Sequence, residues 1–258
     1  MGTEHEACRL NARMTPIRRT NRRARFAGVH ARGGSRCRLH NAYAIVAVFI
    51  LAVLKAAVAG AQLMSTCTEN SPERRGELGC SIVETKLLPA DLKEPVFWHI
   101  DRFDSLERAR TALNPASVAF EAAGTAWLMT IEARYSDHHG GTHVTQVGPL
   151  PLPEAPRYSM VVQSALFAPG MYSLAHHHSG VEAVYVVEGE ACYETPARGF
   201  TLRKGETLAL PAGTEMRAVV SGPTRRHVLA VIVHDAAQPA TMRMEETAAP
   251  PLARCNLR

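Results

Sequence analysis

The sequence predicts an all-β protein with a jelly-roll barrel in residues 157–235. Short segments rich in Val, Ile, Tyr and Phe alternate with turns containing Gly or Pro, the pattern of a barrel built from many short strands. The last segment is apolar on both faces, so one face needs the barrel interior and the other needs a partner subunit or the N-terminal region. The predicted barrel strands are Tyr158–Phe167, Met171–His178, Val181–Thr195, Phe200–Leu202, Thr207–Leu210, Met216–Val220 and His227–His234.

The first 42 residues form an Arg-rich leader. Residues 1–40 contain ten arginines and only two acidic residues, Glu4 and Glu6. Subtracting this +8 from the formal net charge of +5 leaves −3 for the rest of the chain. The body of the protein is therefore not basic, and no nucleic-acid partner is indicated.

An apolar segment over residues 43–61 follows the leader. Its length could span a membrane, although Lys55 interrupts it, and it ends in small residues. A basic flank, an apolar core and a small-residue end are the parts of a secretory signal. We expect an exported protein, periplasmic or anchored to the membrane by this segment, with a cleaved signal as the favoured alternative. Membrane contact is expected through this segment only.

Export changes the interpretation of the cysteines. Cys67 and Cys80 flank a short polar loop, and in an oxidising compartment they are the expected disulfide pair. Cys192 is expected to be a small buried apolar residue, and Cys255 has no assignable partner.

Residues 62–149 form a smaller β-rich region, either an extension of the barrel or a degenerate second barrel half. A short helix is expected over Ser105–Leu113, with Ser105 as its N-cap. Trp98 and Trp127 are expected in the core, and His99 is expected to be structural. The Pro-rich segment 148–156 is the best internal boundary, and the tail 236–258 is expected to be irregular. The predicted strands are Ser81–Lys86, Val96–Ile100, Val118–Ala122 and Ala126–Glu132.

Two stretches concentrate histidines. In Ser136–His143 no acidic or cysteine residue stands at ligand spacing on a clear strand, so a solvated turn is expected. In the second stretch, His176 and His178 alternate along a strand and therefore share a face. If this strand forms a hairpin with the next one, Glu182 can face both imidazoles. Two imidazoles and a carboxylate suit a borderline divalent metal.

The second stretch resembles the first motif of the cupin family. Gly170, His176, His178, Glu182 and Gly189 fit the pattern G-x5-H-x-H-x3-E-x6-G at every specified position. The resemblance implies a cupin double-stranded β-helix with a metal site at His176, His178 and Glu182.

A second cupin motif, G-x5-P-x-G-x2-H-x3-N, is matched only in its first half. Gly205, Pro211 and Gly213 fit, but Met216 stands where the family has its fourth ligand and Val220 where it has Asn. The resemblance therefore implies the fold and three ligands rather than four.

Function is expected to follow from that site. The resemblance implies a divalent metal, with Fe(II) favoured and Mn, Ni, Zn or Cu as alternatives, and a metal-dependent oxygenase or isomerase acting on a small molecule. A non-catalytic cupin that binds or senses a small ligand is the alternative. Met216, Tyr185 and His227 are candidates to line the pocket, and a homodimer is expected.

Overall fold

The computed structural model describes residues 64–65, 67–69, 77–92, 95–134, 140–245 and 252–255. The leader and the apolar segment 43–61 lie outside these ranges, as does the first half of the Ser136–His143 stretch. The described strands are β1 (Met64–Ser65), β2 (Cys67–Glu69), β3 (Gly79–Leu87), β4 (Phe97–Phe103), β5 (Ser117–Ala122), β6 (Thr125–Glu132), β7 (Thr142–Val147), β8 (Tyr158–Phe167), β9 (Tyr172–Ser173), β10 (His176–His178), β11 (Val181–Glu188), β12 (Glu190–Glu194), β13 (Gly199–Arg203), β14 (Thr207–Leu210), β15 (Arg217–Val220), β16 (Arg226–Asp235) and β17 (Thr241–Arg243).

Two sheets enclose the barrel interior. One has six strands in the order β14-β11-β16-β8-β3-β2, and the other has five in the order β1-β9-β15-β12-β13. Their facing side chains form one apolar cluster that includes Val184 and Ala230 from the first sheet and Tyr193 and Ala218 from the second. The predicted all-β jelly-roll barrel is confirmed.

A four-stranded sheet, ordered β5-β6-β4-β7, covers the outside of the barrel. Trp98 and Trp127 are buried in one cluster with Leu229 and Val231 of β16. The outer face of β16 is therefore covered by the N-terminal region, which is one of the two covers that its apolar pattern predicts. Both tryptophans belong to the core, as expected.

One short helix, α1 (Leu106–Thr111), lies between β4 and β5. The Ser105 hydroxyl accepts a hydrogen bond from the Arg108 backbone N–H, so Ser105 caps the helix N-terminus as expected. The helix buries Ala109 against the outer side of the four-stranded sheet, in a cluster with Phe103 and Leu128.

The N-terminal region is an extension that shares a sheet with the barrel. Strand β3 lies before the predicted boundary at 148–156 and pairs with β8, which lies after it. Strands β4 to β7 of the N-terminal region form a single sheet that packs on the barrel. Segment 148–156 therefore connects two parts of one core and does not separate independent domains.

Three local predictions need correction. The expected hairpin does not form, because β10 pairs with β17 while β11 pairs with β14 and β16. The tail after Asp235 is not wholly irregular, because it contains β17. His143 does not belong to a solvated turn but to β7, where its Nδ1 lies 3.1 Å from an oxygen of the fully buried Asp101.

Two disulfides are present in the described part of the chain. Cys67 is bonded to Cys80, the pairing expected from the sequence. Cys192 is buried as expected, but it is bonded to Cys255, for which the sequence offered no assignable partner. The second bond fixes the end of the tail to the outer side of β12.

None of the helices within the described ranges is long and apolar enough to cross a membrane.

Candidate metal centre

Strand β10 presents two histidines on one face. The ring centroids of His176 and His178 are 4.9 Å apart. The strand is fixed on one side by β17 and on the other by Met216, whose backbone N–H donates to the His176 carbonyl at 2.8 Å and whose carbonyl accepts from the His176 N–H at 3.0 Å. His176 and His178 therefore share a face, as predicted, on a strand that is hydrogen-bonded on both sides.

Backbone carbonyls orient both imidazoles. His176 Nδ1 lies 2.7 Å from the Leu174 carbonyl oxygen, and His178 Nδ1 lies 3.1 Å from that of Ala240. Because a carbonyl can only accept, each Nδ1 carries the hydrogen and each Nε2 keeps its lone pair. This tautomer is the one that metal-binding histidines usually have, with the second ring nitrogen held by a neighbouring acceptor.

Glu182 reaches the same place from β11. Its Oε2 lies 3.8 Å from His178 Nε2, and both atoms are buried without a hydrogen-bond partner. Burial raises the pKa of Glu182 and lowers that of His178 to about 4. An unpaired buried polar atom costs about 1–3 kcal/mol. The donor set therefore fits a bound cation, which would satisfy both atoms at once.

His176 is also biased toward the neutral form. Burial lowers its pKa most, and the neighbouring His178 lowers it further, while Glu182 acts in the opposite direction. Two neutral imidazoles beside a carboxyl group are nitrogen and oxygen donors that suit a divalent first-row metal.

A buried arginine lies deeper in the barrel and was not anticipated from the sequence. Arg226 is almost fully buried, its guanidinium stacks on Phe167 at 4.4 Å from the ring centroid, and it is hydrogen-bonded to Tyr193. Its positive charge lowers the pKa of Glu182, opposing the larger effect of burial. Arg226 thus favours the carboxylate form of Glu182.

The three residues predicted to line the pocket lie in different places. Met216 is buried in the interior cluster beside the backbone of His176. Tyr185 and His227 lie on the opposite, outer face of the six-stranded sheet. Tyr185 packs against Trp127 at a ring-centroid distance of 6.1 Å, and His227 Nε2 lies 2.7 Å from the Ser164 hydroxyl. The prediction that Tyr185 and His227 line the pocket is corrected, because each alternates out of register with the inward residues of its strand.

A cavity of about 400 Å³ opens in front of the two histidines. It lies between the inner face of the six-stranded sheet and the segments that carry β9, β10 and β17. The lining residues are Cys67, Ile82, Thr85, Val161, Gln163, Ser173, Leu174, His176, His178, His234, Ala240, Thr241 and Arg243.

Gln163, His234 and Arg243 are among the polar lining residues that the sequence analysis missed. Gln163 lies in the middle of β8, His234 near the end of β16 and Arg243 at the end of β17. For Gln163, the sequence signal of an inward orientation was its position two residues from Val161, which places both side chains on the same face of β8. β16 is apolar on both faces, so its alternation does not show which residues point inward.

The described side chains do not form a ready-made metal site. No group of three or more His, Cys, Asp or Glu residues within the described ranges is arranged so that it could hold a metal ion as it stands. His178 Nε2 and Glu182 Oε2 lie 3.8 Å apart, which is longer than the separation of two atoms bound to the same metal ion.

Comparison with known proteins agrees with the motif. A family model described as a cupin domain matches residues 164–232. Comparison with curated proteins gives no match.

Several solved structures are similar over about a third of the chain. A cupin-like protein from Thermotoga maritima is 19% identical over 34% of this chain and 69% of its own, with a TM-score of 0.30. A cupin superfamily protein from Desulfitobacterium hafniense is 21% identical over 30% of this chain and 68% of its own, with a TM-score of 0.27. A DMSP lyase from Ruegeria pomeroyi is 16% identical over 33% of this chain and 43% of its own, with a TM-score of 0.30.

The segment that matches the family model lies within the barrel. Residues 164–232 run from within β8 to within β16 and contain both motif segments. Over residues 164–232, the chain therefore matches the cupin domain family.

Proposed function

We propose that the protein binds a divalent first-row metal through His176, His178 and Glu182 and acts with it on a small molecule in the adjoining cavity. The observation that carries this proposal is the pair of buried, unpartnered atoms His178 Nε2 and Glu182 Oε2, which lie 3.8 Å apart. Burial of two facing acceptor atoms is unfavourable, and a cation between them would remove this cost.

Small side-chain movements would bring these two donors to ligand distance. Metal–nitrogen and metal–oxygen bonds of about 2.1 Å place two neighbouring ligand atoms roughly 3.0–3.4 Å apart, depending on the angle at the metal. The 3.8 Å between His178 Nε2 and Glu182 Oε2 exceeds this range by less than about 1 Å. Rotations about the side-chain bonds are sufficient for such a change.

The donor types favour Fe(II), with Mn, Ni and Zn as alternatives. Copper is the case in which the Met216 thioether would join, because soft sulfur ligands select Cu(I). When bound, such a metal supplies Lewis acidity and open coordination positions for a substrate oxygen, which serve an oxygenase or an isomerase.

Other lining residues would bind and orient the small molecule. The exposed Arg243 can pair with an anionic group, and the Gln163 amide can both donate and accept hydrogen bonds. Ile82, Val161 and Leu174 supply apolar walls that exclude water. A compact organic anion with an apolar part is the substrate class that fits this lining.

A metal-free cupin that binds a small ligand without turnover is the second candidate. It is favoured by the lack of a ready-made three-residue metal group among the described side chains. In that case the neutral imidazoles would serve as hydrogen-bond acceptors for the ligand.

Elemental analysis separates the two candidates. Full-length protein is purified without chelator and also reconstituted anaerobically with Fe(II), beside His176→Ala and Met216→Leu. We expect about one metal ion per chain in the wild type, loss of metal in His176→Ala, and retention in Met216→Leu, because a thioether is a poor ligand for hard divalent ions. His177→Ala is a matched control, because alternation directs His177 away from the shared face of His176 and His178.

Metal near zero in the wild type after reconstitution would overturn the metal proposal. If His176→Ala retains as much metal as the wild type, the metal is bound at a site other than the one proposed. For protein with bound metal, oxygen consumption with small carboxylates tests the oxygenase activity. Substrate binding without turnover would support the second candidate.

A further inference from the structure

His234 lies on the inner face of β16, next to the candidate metal centre. It is 5% exposed and lines the same cavity as His176 and His178. Val233, its neighbour in the chain, points to the outside and packs in the cluster shared with the N-terminal sheet. Alternation therefore directs His234 into the barrel.

The register of the sheet places His234 beside Glu182. Glu182 lies directly opposite Ile232 on β16, and His234 is two residues further along the same face. Diagonal neighbours of this kind have Cα atoms about 7–8 Å apart, within reach of long side chains. Gly180 allows this close approach, because a Cβ there would lie 2.6 Å from His234 Cα.

The imidazole of His234 has the same orientation pattern as the other two. Its Nδ1 lies 2.8 Å from the Asp235 carbonyl oxygen, so Nδ1 carries the hydrogen. Its Nε2 is buried and has no hydrogen-bond partner, like His178 Nε2. Three imidazoles around one cavity thus each have Nδ1 held by a backbone carbonyl.

His178 and His234 also line the same cavity, and each has a buried Nε2 without a hydrogen-bond partner. Both rings therefore belong to one site, and a cation that accepts both lone pairs would remove two buried unpaired atoms.

Met216 is a weaker candidate for the position that the second cupin motif leaves without a histidine. Its side chain is 1% exposed and packs with apolar residues such as Val184 and Leu210. A thioether binds soft metals, whereas a third imidazole suits all the divalent metals considered above.

We propose that His234 is a fourth metal ligand, completing a set of three histidines and one carboxylate with His176, His178 and Glu182. The fourth ligand would then come from β16 and not from the second motif. This inference rests on the proposed metal-dependent function. With four protein ligands, a six-coordinate metal keeps two positions for the substrate.

The test uses Co(II) as the metal probe in the full-length protein. The affinity for Co(II) is measured calorimetrically for the wild type, His234→Ala and His227→Ala. His227 is a matched control, because it is also buried and on β16 but faces outward to Ser164. We expect Kd to rise by about 100-fold or more in His234→Ala and to be unchanged in His227→Ala. Loss of a residue that only orients a ligand typically weakens metal affinity by about 10–100-fold, so a direct ligand should reach at least the upper end of that range.

A second variant keeps the inference testable if His234→Ala folds poorly. In His234→Cys, a direct bond from residue 234 to Co(II) would produce a thiolate-to-metal charge-transfer band, which a purely structural residue would not. The band should be absent in His227→Cys.

The outcomes separate the two proposals. Tight Co(II) binding in the wild type together with unchanged affinity in His234→Ala and no charge-transfer band in His234→Cys would overturn the role of His234 alone. A wild type that binds neither Co(II) nor Fe(II) would overturn the metal site and this inference with it.

Discussion

Burial favours the neutral form of two histidines in the barrel region, His178 and His227. His178 and His227 both have pKa values lowered to about 4, in each case chiefly by burial. His178 lies on β10 and lines the cavity, whereas His227 lies on the outer face of the six-stranded sheet. His178 has an unpaired Nε2, whereas His227 Nε2 contacts the Ser164 hydroxyl.

The lowered pKa of His227 predicts a loss of stability in acid. The imidazole titrates near pH 6.5 in the unfolded chain and at about 4 in the fold, so the unfolded state binds more protons between these values. The stabilisation is complete above about pH 6.5 and is lost as the pH falls toward 4. We expect His227→Gln, which keeps a polar partner for Ser164, to reduce the fall in free energy of unfolding between pH 6.5 and 5 by about 2 kcal/mol.

Urea unfolding of the metal-free protein at several pH values checks this prediction. His178 contributes a fall of the same sign, so the variant should retain part of the pH dependence. Identical pH dependence in His227→Gln and the wild type would contradict the assignment.

Single residues of the site were predictable where strand alternation was visible. The shared face of His176 and His178 followed from their spacing. His234 did not, because β16 is apolar on both faces and its pattern does not distinguish inside from outside. The Cys192–Cys255 bond was also beyond the sequence, since connectivity between distant cysteines depends on the folded path of the chain.

At the scale of elements, the histidine strand is held by the C-terminal tail. β17 pairs with β10, and the Ala240 carbonyl and Thr241 hydroxyl both contact His178 Nδ1. The expected hairpin between β10 and β11 was wrong, yet Glu182 still meets His178, because β11 occupies the adjoining sheet. The three-residue β17 has no sequence signature of its own, so pairing in the tail could not be predicted.

The approach of β11 to β16 depends on Gly180. A Cβ at this position would lie 1.9 Å from the Val233 carbonyl oxygen, a backbone atom that cannot move without displacing β16. We expect Gly180→Ala to destabilise the fold by about 3 kcal/mol, the upper end of overpacking effects. Gly222→Ala is the control, because its Cβ would meet only Glu190 Cβ at 3.3 Å. Equal unfolding midpoints for the two variants in urea would rule out this explanation.

The two disulfides should differ in their stabilisation. They join cysteines 13 and 63 residues apart, which on the chain-entropy model corresponds to about 3 and about 4 kcal/mol, respectively. We therefore expect a larger loss in the free energy of unfolding when Cys192 and Cys255 are both replaced by Ser than when Cys67 and Cys80 are. Guanidinium unfolding of the two double variants measures this difference, and the reverse order would contradict it.

At the scale of the molecule, the barrel and the N-terminal sheet share one core. Trp98 and Trp127 of the extension pack with Val231 of β16, so the outer face of the barrel is covered within the same chain. The barrel class was predictable because the β8 and β14 patterns have clear ends, and both observed strands match the predicted bounds. The pairing of β3 with the barrel sheet could not be predicted, because strand order depends on contacts between residues far apart in sequence.

The two disulfides and the apolar segment 43–61 predict export. Disulfides persist in oxidising compartments and are rare in the cytosol. With a C-terminal tag, we expect the protein in the periplasmic or membrane fraction, and mass spectrometry of a non-reduced digest should show both disulfides. A soluble full-length cytosolic pool with free thiols at these positions would contradict export.

The pairing of β3 with β8 has a consequence for the folding rate. Gly79 lies opposite Leu166, so this ladder closes only after the intervening chain has been arranged. Folds dominated by such distant pairings fold in about milliseconds to seconds, because loop-closure entropy is lost before contacts form. Until then β8 presents an unpaired edge on one side, which is a template for intermolecular strand pairing. Refolding yield should therefore fall as the protein concentration rises, even where the folded state is stable.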